Sequence, residues 1–239
     1  MSSKASFSEV DKKWMSLALE IAERGAGVSP NPMVGCIIVD GEGNKTGQGY
    51  HERYGQAHAE VNAIEQVINK ADLEDATVYV TLEPCAHHGQ TPPCCKMLGK
   101  LPLNRVVIAM KDPTTKVNGK GIKHLREQGI TVDVGLKEEE ARQLNEFFLH
   151  YQRFERPFVT LKIAQTADGY IAAPDGDSQW ISGQAAREQV HRWRSRCDGR
   201  DGGRNTAQSS TTLVSRFATW EAGSPGASLS TGRWSSHAA

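Results

Sequence analysis

Two short fragments constrain this chain more than any other feature: His58-Ala59-Glu60, and Pro84-Cys85 followed after eight residues by Cys94. Between them they supply one imidazole, two thiols and a spare carboxylate, the parts of a metal-activated water. A catalytic zinc takes three protein ligands from His, Cys, Asp and Glu and leaves its fourth position to solvent. If His58, Cys85 and Cys94 are those ligands, the fold must gather three separate stretches of chain around one point. Glu60 is then left free to move protons.

The surrounding pattern places these fragments at the ends of elements. Ser8 with Asp11 three positions later reads as a capping box, and Val10, Trp14, Leu17, Ala18 and Ile21 then recur on one helical face until Gly25. Ser29-Pro30-Asn31-Pro32 cannot continue that helix, because each proline lacks an amide donor and biases its predecessor to extended geometry. Val34 to Asp40 reads as a buried strand closed by Gly41, Gly43 and Asn44. From Ala57 to Ala71 helical spacing returns through Val61, Ile64, Val67 and Ile68, which puts His58 and Glu60 in a first turn. Val78 to Leu82 is β-branched and aromatic and stops at Glu83-Pro84-Cys85, so Cys85 follows a strand. Pro92-Pro93 suits a helix start and places Cys94 in or near another first turn.

Arg105 to Met110 and Ile130 to Val134 read as further strands, with a helix around Ile122 to Gln128 between them. Leu136 to Phe154 reads as one long closing helix with Leu144, Phe147, Phe148 and Tyr151 inward. This alternation predicts an α/β layered sheet with helices on its faces. We assign residues 1–154 to that domain. Arg156-Pro157 breaks the pattern, and a second segment, 157–198, opens with a strand-like Phe158 to Ala164 and a turn at Thr166 to Tyr170. From Gly199 to Ala239 there is no Lys, Ile, Met or Tyr, and Gly, Ser and Ala supply 20 of 41 residues. That composition predicts a disordered or aberrant tail.

Lysine plus arginine equals aspartate plus glutamate at 28 each, so no long-range field favours a polyanion and nucleic acid is not an expected partner. No apolar run approaches the roughly 20 residues of a membrane span, and a cytoplasmic protein without a membrane partner is expected. The five cysteines form no evenly spaced set, so metal or chemistry is expected rather than disulfides.

At the site itself, His58 and Glu60 point about 200° apart if both are helical, which separates a ligand from a base. Helix-start amides would favour the anionic hydroxide, and such amides together with the metal would lower the Cys94 thiol pKa. Cys36 reads as a core residue and Cys95 as packed behind Cys94. A Cys85/His87 pairing is the local competitor as a metal site, and Cys95 or His87 in a fourth position would make a closed, structural zinc module.

The fragments resemble the zinc base deaminases, which carry H-x-E and P-C-x-x-C. Here eight residues, not two, separate the cysteines. That insert, Ala86 to Pro93, with Pro30-Asn31-Pro32-Met33-Val34-Gly35-Cys36 and Gly49-Tyr50-His51, is similar to the deaminase half of bifunctional riboflavin biosynthesis proteins. Phe158-Val159-Thr160-Leu161-Lys162, Asp168-Gly169 and Gly176 to Ile181 similarly resemble the opening of that family's reductase half.

The resemblance implies a cytidine-deaminase-like α/β/α sheet followed by an incomplete dihydrofolate-reductase-like domain. It implies Zn2+ on His58, Cys85 and Cys94, Glu60 as catalytic proton carrier, and a pyrimidine ribonucleotide-like small molecule that loses ammonia. Asn31, His51 and Asp112 fall where the family holds ribose and base, and Thr114 stands where related sequences carry asparagine. For the reductase half, Ala164, Trp180 and Thr206 match NADPH contacts, while Ser178 and Arg194 match substrate contacts. A reductase continues well beyond Asp198, so a disrupted reading frame and an impaired second activity are expected. Homo-oligomers also occur in the family. The alternatives are a nucleic-acid or free-nucleotide base deaminase, and the non-catalytic zinc module.

Overall fold

A computed structural model describes residues 6–87, 92–115 and 117–199. The chain separates into compact units of residues 1–192 and 193–239, and the account that follows concerns the first unless stated.

Ser8 and Asp11 close the capping box that starts α1 (Glu9–Ala22). The Ser8 N–H donates to Asp11 Oδ2 at 2.9 Å, and the Asp11 N–H donates to Ser8 Oγ at 3.1 Å. Met15, Ala18 and Ile21 bury the inner face. Val10, expected inward, is exposed. Successive i+4 steps overshoot a full turn by about 40°, so Val10 has rotated off the stripe that Ala18 centres.

Strand β1 (Gly35–Val39) is buried along its whole length. A turn held by the Asp40 carboxylate, which accepts the Glu42 and Asn44 amides at 2.9 and 2.8 Å, leads into β2 (Lys45–Tyr50). Nothing in the sequence reading marked β2, because Gly47 and Gly49 erase the strand pattern. Those glycines are the floor on which α2 (Ala59–Glu65) lies. A Cβ at Gly49 would sit 2.4 Å from Ala63 N, and one at Gly47 2.3 Å from Ala63 O.

The α2 helix stops at Glu65, short of the expected Ala71, and Ile68 is fully exposed. Asn69 is extended and its side chain accepts the Ala71 N–H at 3.2 Å, starting a separate 3-10 turn at Lys70–Leu73. Beyond it come β3 (Thr77–Leu82), α3 (Cys94–Leu98), β4 (Arg105–Met110), α4 (Lys120–Glu127) and β5 (Thr131–Val134).

The sheet order is β2-β1-β3-β4-β5, with β1 antiparallel to both neighbours and β3, β4 and β5 mutually parallel. Strand alternation divides the core in two. Cys36, Ile38, Val78, Val80, Val106 and Ile108 pack beside Ala59, Ala63, Leu98 and Leu125 of α2, α3 and α4. Ile37, Tyr79, Val107 and Ala109 pack beside Met15 and Ala18 of α1 on the other face. The result is the expected α/β/α layering.

The expected closing helix is two helices, α5 (Glu138–Leu144) and α6 (Glu146–Phe154). They break at Asn145, whose buried side-chain amide binds both backbone groups of Met33, accepting N–H at 2.8 Å and donating to C=O at 2.9 Å. Of the four residues expected inward, Leu144 is buried, Phe147 and Phe148 are half-buried, and Tyr151 is exposed.

Phe158 to Ala164 forms no strand. A strand needs a neighbour for its amides and a surface for its alternate side chains, and Val159 and Leu161 instead stand 84% and 82% exposed. Phe158 packs on Phe147 with ring centroids 4.9 Å apart. The expected turn is present, with the Thr166 N–H donating to Tyr170 O at 2.8 Å, and α7 (Gln184–Ser195) follows. No helix among the described residues is long and apolar enough to cross a membrane. The expected tail, with Thr206, falls outside the described residues apart from Gly199.

Candidate active site

Chain ends from three elements converge at the carboxyl side of β3. His58 is the N-cap of α2, with extended backbone (φ −75°, ψ 163°) and a side chain that makes no capping bond. His58 thus precedes the helix proper while Glu60 lies inside it. His58 Nδ1 lies 3.5 Å from Cys85 Sγ and 3.3 Å from Cys94 Sγ. The three donor atoms lie within 4.8 Å of one another. Tetrahedral zinc, with bonds of about 2.3 Å to sulfur and 2.0–2.1 Å to nitrogen, requires N···S separations of roughly 3.5 Å. The residues fit the ion.

The two thiols are unequal. The first amide of α3, on Cys94, donates to Cys85 Sγ at 3.2 Å. The expectation that this helix start lowers the Cys94 pKa is therefore corrected: its amide serves Cys85. The Cys94 thiol, His58 and that amide together draw Cys85 well below the usual thiol range, against the opposing effect of burial. Cys94 is pushed up by its bond to Cys85 and by burial. The asymmetry is set by where α3 begins, which turns its first amide onto Cys85 Sγ.

Glu60 is only 3% exposed, and burial together with the negative Cys85 pushes its carboxyl up to about 7. A group that titrates near neutrality can both take and give a proton. The bond to Cys85 raises the His58 pKa, with burial opposing.

Asn31 and His51 stand beside this cluster. The His51 ring meets that of His58 edge-on, with centroids 5.5 Å apart. His51 Nδ1 lies 3.0 Å from Ala57 O, which can only accept, so Nδ1 carries the hydrogen and Nε2 accepts from Asn31 Nδ2 at 3.0 Å. Burial, and then the neighbouring His58, lower the His51 pKa and keep it neutral. Asp112 follows β4; burial raises its pKa, and its Oδ1 accepts the Thr114 N–H at 2.8 Å.

The competitors at the metal position separate from the cluster. Among the described residues that could hold an ion, the group comprises His58, Cys85 and Cys94, without His87 or Cys95. His87 is exposed, and Cys95 is buried behind Cys94 as expected. Of the reductase-half candidates, Thr206 lies outside the described residues. Ser178 and Trp180 are exposed, Ala164 is half-buried on the unpaired segment, and Trp180 stacks under the Arg187 guanidinium at 4.1 Å. Arg194 belongs to the other unit.

Two residues with no role in the sequence reading support the site. Glu83, buried and immediately before Pro84-Cys85, accepts four backbone amides: Gly119 at 2.9 Å and Asp112 at 3.3 Å on Oε2, Gly121 at 3.0 Å and Ile122 at 3.3 Å on Oε1. It thereby caps α4 from another element. Asn145 clamps the loop that carries Asn31. Glu83 had no local signal, whereas Asn145 did, as a poor helix former in the middle of a helical stretch.

Residues 8–110 match the family model for the cytidine and deoxycytidylate deaminase zinc-binding region, and residues 157–223 match that for the RibD C-terminal domain. The riboflavin biosynthesis protein RibD of Aquifex aeolicus is 50% identical over 184 residues, 77% of this chain and 51% of its own length. A Thermotoga maritima diaminohydroxyphosphoribosylaminopyrimidine deaminase/5-amino-6-(5-phosphoribosylamino)uracil reductase superposes with a TM-score of 0.78 at 40% identity, over 88% of this chain and 60% of that one. Acinetobacter baumannii RibD gives 0.72 at 44% identity, over 79% and 52%. The chain thus spans about half the length of the curated relatives it matches. With both matched regions in RibD order and the zinc-binding region folded around His58, Cys85 and Cys94, the chain belongs to the RibD family of riboflavin biosynthesis proteins.

Proposed function

We propose that this chain hydrolytically deaminates 2,5-diamino-6-ribosylamino-4(3H)-pyrimidinone 5′-phosphate, releasing its 2-amino group as ammonia. The observation that carries the reading is the convergence of His58, Cys85 and Cys94 on one point, with the buried carboxyl of Glu60 in the same cluster. Zinc held by those three residues would supply the Lewis acidity that makes water a nucleophile at neutral pH. Glu60 takes a proton from the attacking water and delivers it to the departing amine, a role that suits a buried carboxyl within the cluster. Neutral His51, with its hydrogen fixed on Nδ1, and Asn31 form a polar wall against which ribose and base are oriented. Asp112 presents an acceptor from the neighbouring strand end. The low exposure of Glu60 keeps bulk water from competing for its proton.

The deciding measurement is ammonia release from this pyrimidine with metal content determined on the same sample. One zinc per chain with stoichiometric ammonia is expected, and a zinc-loaded chain that leaves the substrate intact overturns the reading. Salt-dependent retention of RNA would instead favour a nucleic-acid deaminase.

For the segment resembling the reductase half, we propose at most weak NADPH-dependent reduction of the ribosyl group. The described residues from 157 to 199 carry one helix and no strand on which to build a nucleotide site. Robust NADPH oxidation with the deaminated product would refute this.

A further inference from the structure

The loop that carries Asn31 has few backbone donors of its own. Pro30 and Pro32 contribute none, so between Val28 and Val34 its amides must be satisfied individually rather than by a strand ladder. The Asn31 N–H turns back to Val28 O at 3.0 Å, which leaves Met33 to fix the far side of the loop. Met33 is fixed by one residue 112 positions away: Asn145 Oδ1 accepts its N–H at 2.8 Å, and Asn145 Nδ2 donates to its C=O at 2.9 Å. A primary amide meeting both groups of one residue reproduces the two-bond pairing of an antiparallel strand with a single side chain.

We propose that Asn145 is a positioning residue for the substrate pocket, acting through Met33 to hold Asn31 against His51. Asn145 is 3% exposed, and its backbone at φ −107° and ψ 25° leaves the helical path, so α5 and α6 break where the clamp is made. From Asn145 the connection runs through Met33 to Asn31, whose Nδ2 donates to His51 Nε2 at 3.0 Å, and so to the ring that abuts His58. Asn145 touches neither the candidate ligands nor Glu60 in this chain of contacts. Its loss should loosen substrate binding while leaving zinc and proton transfer in place. The inference rests on the proposed function in one respect, that Asn31 faces the substrate.

The test is a double-mutant cycle on the full chain, read by kinetics and by amide hydrogen exchange. Asn145→Ala is expected to raise KM about tenfold with kcat within about twofold and zinc content unchanged. In an Asn31→Ala background the same substitution should raise KM little further, because both changes break one connection. Additive effects on KM, or loss of zinc, overturn the proposal. Should Asn145→Ala fail to fold, Asn145→Asp keeps the acceptor for the Met33 N–H and turns a second oxygen on the Met33 carbonyl, and the same pattern is expected. Met33 amide exchange should quicken by about tenfold or more in Asn145→Ala, which removes its acceptor, whatever the substrate. Unchanged exchange at Met33 overturns the clamp. Faster exchange in a chain that releases no ammonia upholds the clamp and sinks the deaminase reading instead.

Discussion

Cys94 and Cys95 are adjacent and both buried, yet only Cys94 turns its sulfur toward His58. Cys94→Ser is expected to lose zinc from the isolated protein by elemental analysis, while Cys95→Ser keeps it and alters only core packing. Glu60→Gln should keep zinc but lower the rate of ammonia release by about a thousandfold, within the range ordinarily ascribed to a positioned proton carrier. Measurable turnover near the original rate in that variant would remove Glu60 from the mechanism. These side chains were legible in the sequence because their types and order specify the chemistry. Their inequality was not: the donation of the Cys94 amide to Cys85 Sγ depends on where α3 starts relative to β3. Glu83 was illegible for the same reason, since its four amide partners lie 29 to 39 residues onward.

Elements with a clear period were readable, and those whose residues serve a neighbour were not. The α1 capping box is local and was foreseen. The β2 strand was missed because Gly47 and Gly49 are chosen for the helix above them. Gly49→Ala would drive a methyl into the α2 backbone, with Ala63 N at 2.4 Å and Ala59 O at 2.5 Å. A destabilisation of about 2 kcal/mol or more is expected, visible as a Tm several degrees lower, with zinc affinity reduced because α2 carries His58 at its start. A Gly49→Ala protein that melts unchanged would show that α2 can lift off the sheet without cost. Conversely, Phe158 to Ala164 has the composition of a strand and no partner among the described residues, so its propensity goes unused.

At the scale of the molecule, one partly buried network ties α1 to three strands. Asp11 Oδ1 accepts from the Tyr79 hydroxyl at 2.8 Å and from Arg105 Nη1 at 2.7 Å, and Arg105 Nε reaches Asp133 at 2.8 Å. Burial alone would raise the Asp11 pKa, but the bonds from Ser8, Tyr79 and Arg105 outweigh it and hold the carboxyl below its usual value. A depressed pKa means the unfolded chain binds the proton more tightly. The stabilisation is therefore complete above the unfolded value of about 3.9 and is lost as pH falls through the lower folded value. Denaturant titrations should show Asp11→Asn less stable than the parent at pH 7, with the gap closing toward pH 3. A constant gap would mean that the carboxylate charge is not what stabilises. The sequence by itself determined the class of layers and singled out the His, Cys and Glu side chains that the fold gathers at one point, because periodicity and residue chemistry are local properties. Only the tertiary structure decided which thiol receives the first amide of α3, why the β2 glycines are required, and that Asn145 interrupts a helix to hold Asn31. Each of those depends on a contact between segments far apart in the chain, and residue spacing carries no record of such contacts.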